Sequence, residues 1–167
     1  MSTYENSYFG FKIDFPKGWK YRYFGNRKDI PGMYSEQYHV SESGLPIAED
    51  GHKELFFAFK RVMGSPSVIS CKVGMAVFHR KNNYDLNLER APDAIEMARK
   101  QGRTEVMGID ANYLYLELAF DKYTCFRRFT YWQHTPNFWL NFAIEGDTEE
   151  NYAESEFVMS GIKKITN

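Results

Sequence analysis

Four histidines and two cysteines carry most of the metal-ligating and nucleophilic capacity of this chain, so their spacing decides which chemistry is open to it. In Asp50-Gly51-His52-Lys53-Glu54, alternate positions present oxygen, nitrogen and oxygen donors along one side of an extended stretch. That is a donor set for a divalent cation, with Asp50, His52 and Glu54 as the candidate ligands. The competing reading is a solvated loop running into a strand. Cys71 and His79 share one strand-like segment but stand eight residues apart, roughly 26 Å along a strand, too far to share a metal. Cys125 and His134 are further apart still and on opposite faces. A cross-strand pair such as Cys71 with His134 stays open, without any local signature of a Cys-His nucleophile. The patterns GxGxxG, GxxxxGK[ST], GxSxG, HExxH and CxxC are all missing, so no catalytic residue and no cofactor is assigned. Cys71 and Cys125 read as buried reduced thiols, with a disulfide between them as the alternative.

Two further groups suit recognition. Arg127 and Arg128 are adjacent in a strand and so point to opposite faces, where ion pairing is the structural use and an anion or partner contact the functional one. Tyr34 and Tyr38, with Glu36 between them and His39 beside them, sit in a connection from Gly25 to Gly51 punctuated by Pro31, Gly32, Gly44 and Pro46. Connections of this length are often functional, and large aromatics on them suit a protein-recognition surface. The alternative is that these tyrosines fold back onto the sheet. The candidate partner-binding residues are therefore Tyr34, Glu36, Tyr38 and His39.

The elements that must hold these residues are mostly strands. Tyr8 to Phe15 places Phe9, Phe11, Ile13 and Phe15 on one apolar face with period two. Pro16-Lys17-Gly18 supplies a turn, and Trp19 to Phe24 a short return strand. Within the long connection only Met33 to Val40 has an extended pattern. Leu55 to Val62, with Leu55, Phe57 and Phe59 on one face, and Val68 to Phe78, with Ile69, Cys71, Val73, Met75 and Val77 on one face, are joined by Gly64-Ser65-Pro66. Pro92 to Gln101 reads as a helix: Pro92 suits its first turn, Asp93 its positive end, Gly102 its stop, and Ala94, Ile95 and Ala98 share a face. Strands follow over Val106 to Phe120, with a turn signalled at Asp110-Ala111-Asn112, then Thr124 to His134 and Phe138 to Glu145. Thr135-Pro136-Asn137 connects the last two. A final helix starts at Thr148 as N-cap, with Glu149 and Glu150 in its first turn, Tyr152, Ala153 and Phe157 on its apolar face and Gly161 at its stop.

The whole is read as one domain, 1–167. It is 43% hydrophobic and 26% charged, and 17% aromatic through twelve Tyr, fourteen Phe and three Trp, an excess that favours strands. A formal net charge of -1 with interspersed signs gives no field to draw in nucleic acid. No apolar run approaches the roughly twenty residues of a membrane span, and Met1 to Asn6 lack a basic or apolar leader. The expectation is a soluble chain, cytoplasmic as given; a signal peptide removed before this start would place it in a periplasm or a lumen.

The stretch Tyr8-Phe9-Gly10-Phe11-Lys12-Ile13-Asp14-Phe15-Pro16-Lys17-Gly18-Trp19, a strand leading into a Pro-Lys-Gly-Trp turn, resembles the opening of PsbP/Mog1-like domains, including the PsbP-like and DcrB-related ones. The order of elements, with a C-terminal helix after a strand like Trp139-Leu140-Asn141-Phe142, is similar to theirs. The resemblance implies an α+β fold, an antiparallel sheet flanked by helices in an α/β/α sandwich, and a largely non-enzymatic repertoire; fold does not fix function. The expected role is a non-catalytic binding or accessory domain for a protein partner. The alternative is a small-molecule or metal-binding protein, with enzymatic activity open, whose aromatic pocket includes His52, His79 or His134.

Overall fold

The computed structural model describes residues 2–23, 39–40, 46–47, 52–62, 65–75, 93–136 and 138–166. Tyr34, Glu36, Tyr38, Asp50 and His79 fall outside them, and of His39, His52 and Glu54 only the backbone is described.

Period-two alternation builds two sheets. In β2 (Phe11–Phe15) the rings of Phe11 and Phe15 and the side chain of Ile13 are fully buried, with Lys12 and Asp14 turned outward. β1 (Ser2–Asn6) pairs antiparallel with β2, from Ser2 opposite Phe15 to Asn6 opposite Phe11. The strand expected over Tyr8 to Phe15 therefore starts only at Phe11. Residues 7–10 turn instead, because buried Asn6 holds them: its Oδ1 accepts from the Phe9 N–H at 2.9 Å and its carbonyl from the Gly10 N–H at 2.8 Å. β12 (Lys163–Lys164) completes this small sheet beside β2. The Pro16-Lys17-Gly18 turn forms as expected, the Trp19 N–H donating to the Pro16 carbonyl at 3.2 Å, and the Trp19 indole stacks on Phe15.

The large sheet uses β3 (Lys20–Tyr23), β6 (His52–Val62), β7 (Ser65–Met75), β8 (Ile95–Val106), β9 (Ile109–Ala119), β10 (Thr124–Thr135) and β11 (Phe138–Gly146). Its order is β3-β6-β7-β11-β10-β9-β8, every pair antiparallel. β4 (His39–Val40) and β5 (Pro46–Ile47) form a separate short pair. The small sheet packs on one face of the large one through aromatics: ring centroids lie 4.6 Å apart for Tyr4 and Phe56, 5.5 Å for Phe11 and Phe142, and 5.8 Å for Phe15 and Phe56. On the opposite face Leu114, Leu116 and Leu118 form a second buried cluster with Cys125 and Phe129.

α1 (Glu149–Met159) lies beside the small sheet on the same face of the large one, and Thr148 caps it as expected, its Oγ1 accepting from the Asn151 N–H at 3.0 Å. The helix turns a different side inward than the pattern of Tyr152, Ala153 and Phe157 implies. Ser155, Val158 and Met159 are buried, and Phe157 is 73% exposed. A polar anchor decides the orientation: the Ser155 hydroxyl donates to the Glu145 carbonyl at 2.8 Å and accepts from the Val68 N–H at 3.1 Å. Beyond Ser160 the helix unwinds through tightened bonds, Gly161 N–H to Val158 at 3.1 Å and Ile162 N–H to Met159 at 3.1 Å.

Four other expectations are corrected. The helix expected over Pro92 to Gln101 is strand β8. Its residues have good helix propensity, but Met107 and Gly108 both adopt positive φ, 54° and 77°, the geometry of a two-residue type I′ turn. That turn zips β8 onto β9 from Val106 opposite Ile109 outward, and tertiary pairing overrides propensity. Gly102 is no helix stop. It lies opposite Tyr113, whose ring covers it. The break expected at Asp110-Ala111-Asn112 is likewise displaced to this turn, and β9 runs through it unbroken. In β6 a bulge between Glu54 and Phe56 shifts the register, so Phe56 and Ala58 take the core face while Phe57 and Phe59 pair on the other. The expected α/β/α sandwich reduces to a mostly β fold: an antiparallel sheet with α1 on one face, the one helix among the described residues. Among those residues no helix is long and apolar enough to cross a membrane.

Gly146 ends β11 directly under the helix. A Cβ there would lie 2.1 Å from the Tyr152 backbone nitrogen. Gly146→Ala is expected to cost about 3 kcal/mol or more in urea denaturation, because the obstacle is backbone and cannot rotate away.

Candidate functional site

The small sheet and α1 cover the middle of the large sheet, and strands β8 and β9 extend past them. The corner between this overhang and α1 is an open groove of about 620 Å³. Its floor is the side of β9 opposite the leucines, Tyr113, Tyr115 and Glu117, continued by Arg128 and Thr130 of β10 and Lys100 and Thr104 of β8. Its wall is Tyr152, Glu156 and Met159 of α1.

Several polar groups of the groove are tied into pairs. Arg128 stands opposite Tyr115 across the ladder and donates from Nη1 to Glu156 Oε2 at 2.9 Å. Tyr115 donates to Glu117 Oε1 at 2.8 Å, and its ring meets Tyr152 edge-on at 5.5 Å. Burial, then the hydrogen bond and charge of Glu117, push the Tyr115 phenol well above its ordinary range. The Tyr152 phenol is pushed up to about 12, chiefly by burial, with the Arg128 charge opposing. Both therefore stay protonated at neutral pH, as rigid hydrogen-bonding aromatics rather than acid–base groups.

On the other face, Arg127 pairs with Glu145 at 2.8 Å, so the two adjacent arginines do diverge and each finds a carboxylate. Cys71 and Cys125 are both buried thiols. Burial and the Glu145 charge push Cys125 up to about 11, which leaves almost no thiolate at neutral pH.

His134 does not reach the groove. Its Nδ1 accepts from the Trp132 indole N–H at 2.9 Å, and its Nε2 lies 2.6 Å from the Phe9 carbonyl, to which the N–H on that nitrogen donates. Both nitrogens are committed: Nε2 joins the turn at residues 7–10 to β10, and Nδ1 fixes the ring against Trp132 of the same strand. Among the described residues no group of three or more His, Cys, Asp or Glu side chains is placed to hold a metal ion. Of the groove residues, the sequence pattern singles out Arg128 alone; Tyr113, Tyr115 and Glu117 carry no catalytic spacing, although Tyr113-Leu114-Tyr115-Leu116-Glu117-Leu118 shows their alternation openly.

No protein-family model matches the sequence, and no curated protein does. Among solved structures the chain is similar to the solution structure of cyanobacterial PsbP (CyanoP) from Synechocystis, over 98% of this chain and 91% of that one, with a TM-score of 0.53 at 10% identity. The fold is PsbP-like, in agreement with the resemblance carried by Tyr8 to Trp19.

Burial, with a smaller contribution from the Lys164 charge, lowers the His134 pKa, while the Phe9 carbonyl opposes. The folded protein thus holds this imidazole neutral where the unfolded chain binds a proton, so its stabilisation is complete above the ordinary histidine value near 6.5 and is lost as pH falls below it. His134→Phe is expected to lose about 2 kcal/mol at about pH 7.5, since the indole N–H and the Phe9 carbonyl lose their partners. The gap between wild type and variant should narrow toward about pH 5, as read by urea denaturation across pH.

Proposed function

We propose that this chain is one non-catalytic accessory domain that recognises a protein partner through the groove between α1 and strands β8 to β10. One observation carries the reading. The groove is lined by Tyr113, Tyr115, Tyr152 and Arg128, the last three held by Glu117 and Glu156, and Tyr and Arg are among the residue types that dominate binding energy at protein interfaces. The phenols are shifted away from acid–base work, and the Cys125 thiol away from nucleophilic work, which favours binding over catalysis. The fold likeness to cyanobacterial PsbP supports the same side. Tyr34, Glu36, Tyr38 and His39 form the second contact surface of the proposal, supported by their sequence pattern alone.

The groove's volume also lies within the range of small-ligand pockets, which is the observation favouring a bound small molecule as the second reading.

Three baits separate these readings: the intact protein, Tyr113→Ala/Tyr115→Ala, and Tyr34→Ser/Tyr38→Ser, each first shown by thermal melting to be folded. The groove variant is expected to weaken the partner at least about tenfold. Retention of every partner by both variants overturns the proposal. A metabolite that raises the melting temperature of the intact protein and not of the groove variant supports the small-molecule reading.

A further inference from the structure

Among the described residues, strand β8 closes the large sheet on the side away from β3, and its one neighbour in that sheet is β9. Ten of its twelve residues are exposed, including Ile95 at 66% and Met97 at 64%. A long edge strand of this kind offers a row of backbone donors and acceptors to another strand. We propose that β8 pairs antiparallel with β8 of a second copy of this chain, centred on Gly102, so that the two large sheets become one.

Geometry fixes which groups face outward. In a two-residue type I′ hairpin the residues flanking the turn, Val106 and Ile109, exchange both backbone bonds. Counting back by two, Thr104, Gly102 and Lys100 bond to β9. Glu105, Arg103, Gln101 and Arg99 therefore aim their N–H and C=O groups outward. No bulge interrupts this stretch, the only irregularity in the ladder lying between Glu96 and Ala98.

Charge then selects the register. A two-fold axis perpendicular to the sheet keeps every side chain on its own face, so the axis must pass through a residue facing itself. Centring on Arg99, Lys100 or Arg103 sets like charges against each other at the axis, and centring on Gln101 sets Arg99 against Arg103 twice. Centring on Ala98 runs into the bulge. Centring on Thr104 sets Arg103 against Glu105 twice but confines the pairing to Gly102–Val106 before the turn at Met107. Centring on Gly102 extends it over Ala98–Val106 and sets Arg99, which Glu96 of its own strand already holds at 2.6 Å, against Glu105 twice, Gln101 against Arg103 twice and Lys100 against Thr104, with the smallest residue at the closely spaced axial position. It also aligns the outward-facing residues with one another. Glu105 suits this use: in its own hairpin it stands opposite Asp110, which Arg103 holds, and among the described residues it makes no ion pair. Opposite charges facing each other across a ladder favour the pairing and like charges disfavour it.

A single strand pair is a small interface, so the dimer is weak, with a Kd in the micromolar to millimolar range. The test is sedimentation equilibrium of the full chain up to about 1 mM, with Arg99→Glu, Glu105→Arg, the double reversal and Gln101→Pro, each checked by circular dichroism. Proline at 101 removes an outward N–H and leaves the β9 ladder intact. Each single reversal and the proline variant are expected to weaken dimerisation at least about tenfold, and the double reversal to restore it. A monomer throughout that range overturns the proposal, as does a dimer indifferent to these changes. Weakening by both single reversals without rescue by the double overturns the register about Gly102.

Discussion

The ring of Phe142 is where the two layers meet. It sits on β11, the central strand of the large sheet, and contacts Phe11 of the small sheet at 5.5 Å, Phe56 of β6 at 6.2 Å and Trp132 of β10 at 5.5 Å, the last nearly parallel at 6°. Burying such a ring contributes about 1.5–3 kcal/mol, and aromatic pairs add about 0.5–1.5 kcal/mol each. The arrangement also sets position. Because Phe11, Phe15 and Tyr4 must reach Phe142 and Phe56, the small sheet covers the β6 side of the sheet's centre. α1 is then pinned beside it by Ser155 and by the close approach at Gly146. What neither layer covers is the outer part of β8 to β10, and the groove is that remainder.

The site owes its character to a division of labour within β9. Leu114, Leu116 and Leu118 secure the strand from behind, so Tyr113, Tyr115 and Glu117 are left to face the groove. The Tyr115–Glu117 hydrogen bond and the Arg128–Glu156 ion pair then hold the middle of the groove in place. Preorganised aromatic surface binds at lower entropic cost than mobile side chains do. The same overhang that opens the groove also exposes β8 as an edge, so both proposed recognition surfaces follow from one packing choice.

Much of this was legible in the sequence, for a physical reason: strands with one buried face must alternate. Phe11-Lys12-Ile13-Asp14-Phe15 and the segment from Ile69 to Val73 read correctly, as did the Thr148 cap and the Pro16-Lys17-Gly18 turn, whose chemistry is local. β8 was misread because its stabilisation is not local. A turn using Met107 at positive φ, which few sequences advertise, commits Ile95 to Val106 to an exposed strand despite its helical composition. The buried side of α1 was hidden because its anchor is Ser155, a residue that hydropathy places outside. The groove went unassigned because tyrosines and paired charges carry no catalytic signature; their meaning depends on what α1 leaves uncovered.

If a rigid aromatic platform carries a more loosely held outer rim, native-state hydrogen exchange by NMR in dilute solution separates the two. Amides of Ile13, Ile69, Cys71, Leu140 and Phe142 are expected to exchange only through global unfolding, while the bonded amides of β8 at Lys100, Gly102 and Thr104 open with a smaller free energy. Equal protection of β8 and β11, or opening of β2 well before β11, would contradict that division.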